Sequence, residues 1–265
     1  MSLFVSGCTA ALWAEALKAR RSTVLWLTAL AIALAPLVGA VFMAILKNPD
    51  LASRAGLLAT KAQTRAAAAD WPTYFSLLEQ SLAIGGFVVF GFVATWLFGR
   101  EYSDHTVKDL LALPTARQEI VTAKYIVLIV WSAALTALVY ALGLAAGAVV
   151  GLPGWSPGLA LAAAGQLVAI AGLTVALVTP FAWIASAGKG YLPPLGAMFL
   201  TIFLAQVVAA VGLGPYFPWS VPALTSGVAG PAGQAVGVGS YFLVVLTGLA
   251  GIAATAAWWR FADQT

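Results

Sequence analysis

Charge is scarce in this chain. Only 8% of its 265 residues are Asp, Glu, Lys or Arg, against roughly 25% in a soluble globular domain, which excludes an ordinary soluble enzyme or binding module. Cysteine is almost missing: Cys8 stands alone, ruling out an internal disulfide and a cysteine metal cluster. One histidine, His105, leaves no His-Glu-x-x-His pair and no Ser-His-Asp set. No Gly-x4-Gly-Lys-Ser/Thr phosphate loop occurs, since the one Gly-Lys pair, Gly188-Lys189, is followed by Gly190; ATP chemistry would need a separate subunit. The net charge of +4 is spread beside apolar runs instead of forming a stripe, so no nucleic-acid partner is implied. No fixed-period repeat is visible.

Apolar residues fill that space. They make up 62% of the chain, and the mean hydropathy is +0.97. The expected fold is all-α, a polytopic membrane protein with six transmembrane helices. Spans are expected near 23–46, 75–98, 125–150, 159–185, 191–213 and 235–259, each long enough to cross a hydrocarbon core. Residues 1–22 precede them as an interfacial helix with Trp13 at the membrane surface and Lys18, Arg20 and Arg21 at its end; residues 23–265 form one permease-like domain. A polar loop, 47–73, has an Ala-rich middle that favours a surface helix. The stretch 214–234, rich in Gly and Pro, reads as re-entrant or interfacial, because irregular backbone in lipid would leave polar groups unpaired. Lys and Arg counts, nine on one side of the membrane and four on the other, place both termini in the cytoplasm of a cell whose inner (plasma) membrane holds the chain.

The most charged stretch, Phe98 to Tyr125, holds eight of the 22 charged residues and the only His. Lying between spans two and three, it must sit in water or against another protein. Thr106-Val107-Lys108-Asp109 and Thr115-Ala116-Arg117-Gln118 fit two capping boxes, and Pro114 ends the short helix launched by the first. Val107, Leu110 and Leu111 give that helix an apolar stripe.

Arg100-Glu101-Tyr102, Asp104-His105-Thr106, Leu110-Leu111, Pro114 and Arg117 with Lys124 downstream resemble the cytoplasmic loop of type-2 ABC transporter permeases. The resemblance is strongest over residues 90–130, and His105 stands where that family usually has Gly. It implies a coupling loop, 99–124, whose short helix docks on a separate ATPase subunit through Arg100, Glu101, Asp104, His105, Thr106, Lys108, Asp109, Leu110, Leu111, Pro114 and Arg117. It further implies two cytoplasmic ATPase subunits carrying ATP and Mg, a second permease copy or related permease as dimer partner, contact with membrane lipids, and export as the direction of transport. The chain itself would be no enzyme and would bind no cofactor or metal.

Within the spans, Glu79, Gln166 and Gln206 are candidate pathway residues; for Glu79 a carboxylate at the interface near Trp71 and Tyr74 is the favoured reading, and interhelical hydrogen bonds explain the two glutamines as well. Tyr216, Phe217 and Trp219 are candidate outer-gate residues or plain interface anchors. Gly143, Gly147 and Gly151 share a helix face for close packing, either across a dimer seam or within the subunit. The rival assignments are an accessory subunit of an intramembrane enzyme and a non-transporting sensor or immunity subunit.

Overall fold

A computed structural model describes residues 2–48, 68–107, 115–228 and 236–261. The surface helix expected within 47–73, the short helix over Lys108–Pro114 and the end of 214–234 lie outside the described residues. The described residues form an all-helical bundle. A leading helix α1 (Ser2–Arg20) is followed by α2 (Thr23–Lys47), α3 (Trp71–Ser103), α4 (Arg117–Val150), α5 (Pro157–Ala187), α6 (Leu192–Ala210), a short α7 (Val221–Thr225) and α8 (Val238–Phe261). Among them α2, α3, α4, α5, α6 and α8 are long and apolar enough to cross a membrane, which makes the chain a multi-pass membrane protein.

Local chemistry sets the helix ends. The Ser22 hydroxyl accepts from the Val24 N–H, Asp70 from Thr73 N–H at 3.0 Å, and Ser156 from Leu159 N–H, each satisfying a donor orphaned at a first turn. Asp70 starts α3 four residues before the expected boundary. The second expected capping box is displaced: Ala116, not Thr115, is the N-cap of α4, and its side chain makes no capping bond. That helix start is held instead by a tertiary bond from Arg117, described below, and by Glu119 in its first turn, where the helix dipole favours an acid.

The central pair is α3 and α5. Phe87 meets Phe181 edge-on at 5.8 Å, and Gly91 brings α3 against Val178 of α5 and Met198 of α6. On the other side of α5, Gly248 and Gly251 let α8 approach so closely that a Cβ on Gly251 would fall 2.5 Å from the Pro180 nitrogen. Pro180 has no N–H for the Ala176 carbonyl; the Thr179 hydroxyl lies 2.8 Å from both that carbonyl oxygen and the Gly248 carbonyl oxygen. Gly143 and Gly147 of α4 face α3, where added Cβ atoms would meet Leu78 and Trp71 at 2.5 Å. This is packing within one subunit. Gly151 leaves their helix face, because it caps α4 with φ +69°, and Lys47 donates to its carbonyl and that of Val150 at 2.8 Å. Trp26, Leu30, Phe199, Phe203, Phe242 and Leu249 remain exposed, as expected of surfaces solvated by lipid tails.

Candidate functional site

Three helices converge at the bundle end that carries residues 99–124. Lys124 is fully buried, and its ammonium group donates to Glu15 Oε2 at 3.0 Å, Glu101 Oε1 at 2.8 Å and the Leu97 carbonyl at 2.7 Å. Those three acceptors use all the donors a lysine has. Lys18, one turn from Glu15 on α1, completes the set at 2.7 Å from Glu15 Oε1 and 3.4 Å from Glu101 Oε1. Glu15 and Glu101 are each 2% exposed. Two acids and two lysines therefore form a formally neutral cluster that pins α1 to both helices flanking the loop.

Such a cluster is a joint more than a source of stability, since desolvating the ions offsets much of their attraction. Burial pushes the Glu15 carboxyl up, but Lys124 and Lys18 together outweigh it and hold the group below its ordinary range. Beside the cluster, Glu101 Oε2 and one Arg100 guanidinium nitrogen are buried with no hydrogen-bond partner among the described residues, and the Arg100 guanidinium lies 4.9 Å from the Trp96 ring centroid.

The same end is tied together by the last turn of α8. Trp259, fully buried, donates its indole N–H to Ser186 of α5 at 3.0 Å and packs edge-on against Tyr102 of α3. Arg117 donates to the Trp259 carbonyl at 3.2 Å, and Tyr125 to the Thr255 hydroxyl at 2.8 Å.

The chain leaves α3 through a helix-ending turn in which Thr106 N–H bonds the Glu101 carbonyl and His105 N–H that of Tyr102. The residue between cap and exit must be left-handed, usually a glycine; here it is His105, at φ +56°. The α5 exit repeats the pattern, with Gly190 N–H bonding the Ala185 carbonyl and Lys189 at φ +50°. The two turns are neighbours: a Cβ on Gly99 would lie 3.1 Å from the Gly190 carbonyl oxygen.

Of the loop residues singled out from the sequence, Asp104, His105 and Thr106 are exposed. Glu101 is turned inward to Lys124, and Arg117 is engaged with α8. Lys108, Asp109, Leu110, Leu111 and Pro114 lie outside the described residues. Sequence reasoning missed Glu15, Lys18 and Lys124 as one site. The available signal was Lys124 itself, a lysine among Val121, Ala123 and Tyr125 that required a buried acid.

The span residues gather elsewhere. At Leu82–Gly86 α3 widens into a π turn, a feature often found at functional sites. Ala83, Ile84 and Phe87 there face Gln206 of α6 and Trp219 and Ser220 across a cavity of about 300 Å³. The segment after α6 enters the bundle: Trp219 donates to the Leu177 carbonyl and Ser220 to the Ala205 carbonyl, both at 3.1 Å, and Gln166 reaches the Thr225 carbonyl at 3.2 Å. Phe217 packs on Trp219 at 5.4 Å, while Tyr216 is 75% exposed. Gln166 thus ties helices together, whereas Gln206 lines open space. Among the described residues, no group of His, Cys, Asp and Glu could hold a metal ion.

A family model described as ABC-2 family transporter protein matches residues 11–206, a range that includes every residue of the ion cluster. The bacitracin transport permease protein BCRB of Bacillus licheniformis is 27% identical over 179 residues, covering 67% of this chain and 85% of that protein. No solved structure matches.

Proposed function

Because the chain belongs to the ABC-2 family of transporter proteins, we propose that it is the membrane-spanning permease subunit of an ATP-driven exporter, paired with a second permease and driven by two separate ATPase subunits. ATP and Mg²⁺ bind on those partners. Loop 99–124 faces the cytoplasm of a plasma membrane, with both termini on the same side, and the ATPase grips its exposed residues, Asp104, His105 and Thr106 among them. Cargo leaves on the opposite side, past the cavity beside Gln206 and the aromatic segment at Tyr216, Phe217 and Trp219.

The observation that carries this reading is the buried joint of Glu15, Lys18, Glu101 and Lys124. A loop pulled by a neighbour moves a transport pathway only if its two stems are stiffly attached. Lys124 attaches them, clamping the end of α3 to the start of α4 and both to α1. The partner must also bind the inward-facing and outward-facing arrangements with different affinity, because a ligand with equal affinity shifts nothing.

The test is to purify the tagged chain from its native membrane in mild detergent and assay the eluate. An ATP-hydrolysing partner at two copies per permease pair is expected, with hydrolysis that responds to cargo. Charge reversal at Arg100 or Asp104 should leave insertion intact and lower the cargo moved per ATP. A native complex that transports without any ATP-hydrolysing companion contradicts the proposal.

A further inference from the structure

Glu79 is the one acid of the described spans that sits away from both helix ends, eight residues into α3 and therefore about 12 Å along its axis. Its side chain is half-buried. The buried acids of the cluster each have a lysine, but among the described residues no ion pair or hydrogen bond reaches the Glu79 carboxylate. A carboxylate inside a membrane span without a counter-charge is costly and marks a substrate pathway.

Its position links it to the cavity. Glu79 lies one turn before Ala83, at the entry to the π turn, and Ala83 and Phe87 line the cavity. Glu79 therefore precedes the first lining residue by about one turn, roughly 6 Å along the helix axis. Gly85 and Gly86 end the π turn, and among the described residues nothing lies within 4 Å of where a Cβ on Gly85 would be. Among the described residues the lining is apolar apart from Gln206 and Ser220, whose hydroxyl is already spent on Ala205, and it contains no Lys or Arg.

We infer that Glu79 and this cavity together recognise a cationic amphiphile, with an ammonium or similar cation against the carboxylate and the apolar body between Phe87, Ile84 and Trp219. The inference rests on the permease reading and names its cargo class. A negative group one turn from an apolar cavity whose described lining holds no cation discriminates by charge: the same body with an anionic head meets repulsion, and a neutral one gains nothing from Glu79.

The experiment is equilibrium binding of two probes with the same tetra-aryl frame and opposite charge, tetraphenylphosphonium and tetraphenylborate, to the full chain in nanodiscs, with empty nanodiscs subtracted. The wild type should prefer the phosphonium. Glu79→Gln should weaken phosphonium binding by about tenfold or more, as expected for losing one partner of a desolvated charge pair, and leave borate binding unchanged or tighter. Glu79→Asp should retain the preference, and Ala223→Trp, which fills the cavity, should weaken both probes. Equal binding of both probes to the wild type, or the same effect of Glu79→Gln on each, overturns the inference. Because no ATPase is in the assay, that result would retract the cargo class and leave the coupled permease standing.

Discussion

Lys124→Met removes the hub of the ion cluster while conserving most of the side chain's length and apolar volume. Glu15 and Glu101 would then sit in a 2%-exposed setting with only Lys18 for company, at 2.7 and 3.4 Å. Removing one partner of a buried ionic group typically costs about 3–5 kcal/mol, since the remaining charge stays desolvated. At roughly 2–4 °C per kcal/mol for a chain approaching this size, the thermal midpoint should fall by about 6–20 °C. Tryptophan fluorescence of the detergent-purified chain reads this directly, with Trp259 and Tyr102 packed at the same bundle end. The triple variant Lys124→Met, Glu15→Gln, Glu101→Gln leaves one ion, Lys18, whose side chain is 33% exposed and can reach solvent, and should recover most of the loss, because replacing buried ionic groups by neutral ones is often close to neutral. A fall below about 1 kcal/mol in the single variant, or a triple variant as unstable as the single, would refute the claim that these residues are one unit. Acid sensitivity follows from the same cluster. The Glu15 carboxyl is held below its ordinary value of 4.5, so its contribution is complete above that value and is lost as pH falls through the lowered folded one. Midpoints measured downward from pH 6 should therefore drop more steeply below 4.5 in the wild type than in the triple variant.

Two further substitutions test the backbone. His105→Gly relieves a left-handed residue and should stabilise the chain by about 1 kcal/mol, while His105→Val should do the reverse; thermal midpoints of the pair read the sign. Gly251→Val places a side chain against the Pro180 backbone and should cost about 1–3 kcal/mol by overpacking, whereas Gly196→Ala, with nothing among the described residues within 4 Å, should raise the midpoint slightly through the roughly 0.5–1 kcal/mol by which Ala exceeds Gly inside a helix.

The six spans were legible because each helix that can cross the bilayer must be a long apolar run, and backbone hydrogen bonding in lipid permits little else. Ends were read less well. Asp70 counted only as a charge until its bond to Thr73 identified it as a cap, and Thr115 matched a four-residue pattern that Ala116 occupies in the fold. Charged residues around the loop were read as an island facing water or a partner protein, yet Glu101 and Lys124 point inward. Their partner Glu15 is 109 positions from Lys124, a separation that no local pattern reports. Glu15 itself drew no notice within the expected interfacial helix 1–22. The π turn was equally hidden, because Gly85-Gly86 lowers helix propensity without specifying how the turn widens. Glu79 was visible from the start; what sequence lacked was the cavity beside it.

The account depends on the exposed exit of α3 touching an ATP-hydrolysing neighbour. With Cys8 changed to Ser, a single cysteine introduced at Thr106 or Thr115 can carry a short photo-crosslinker in native membranes. The account predicts one adduct with an ATPase subunit, its yield changing between nucleotide-free and ATP-bound conditions. Labelling of those cysteines only from the cell exterior, or adducts that never include an ATPase, would contradict it.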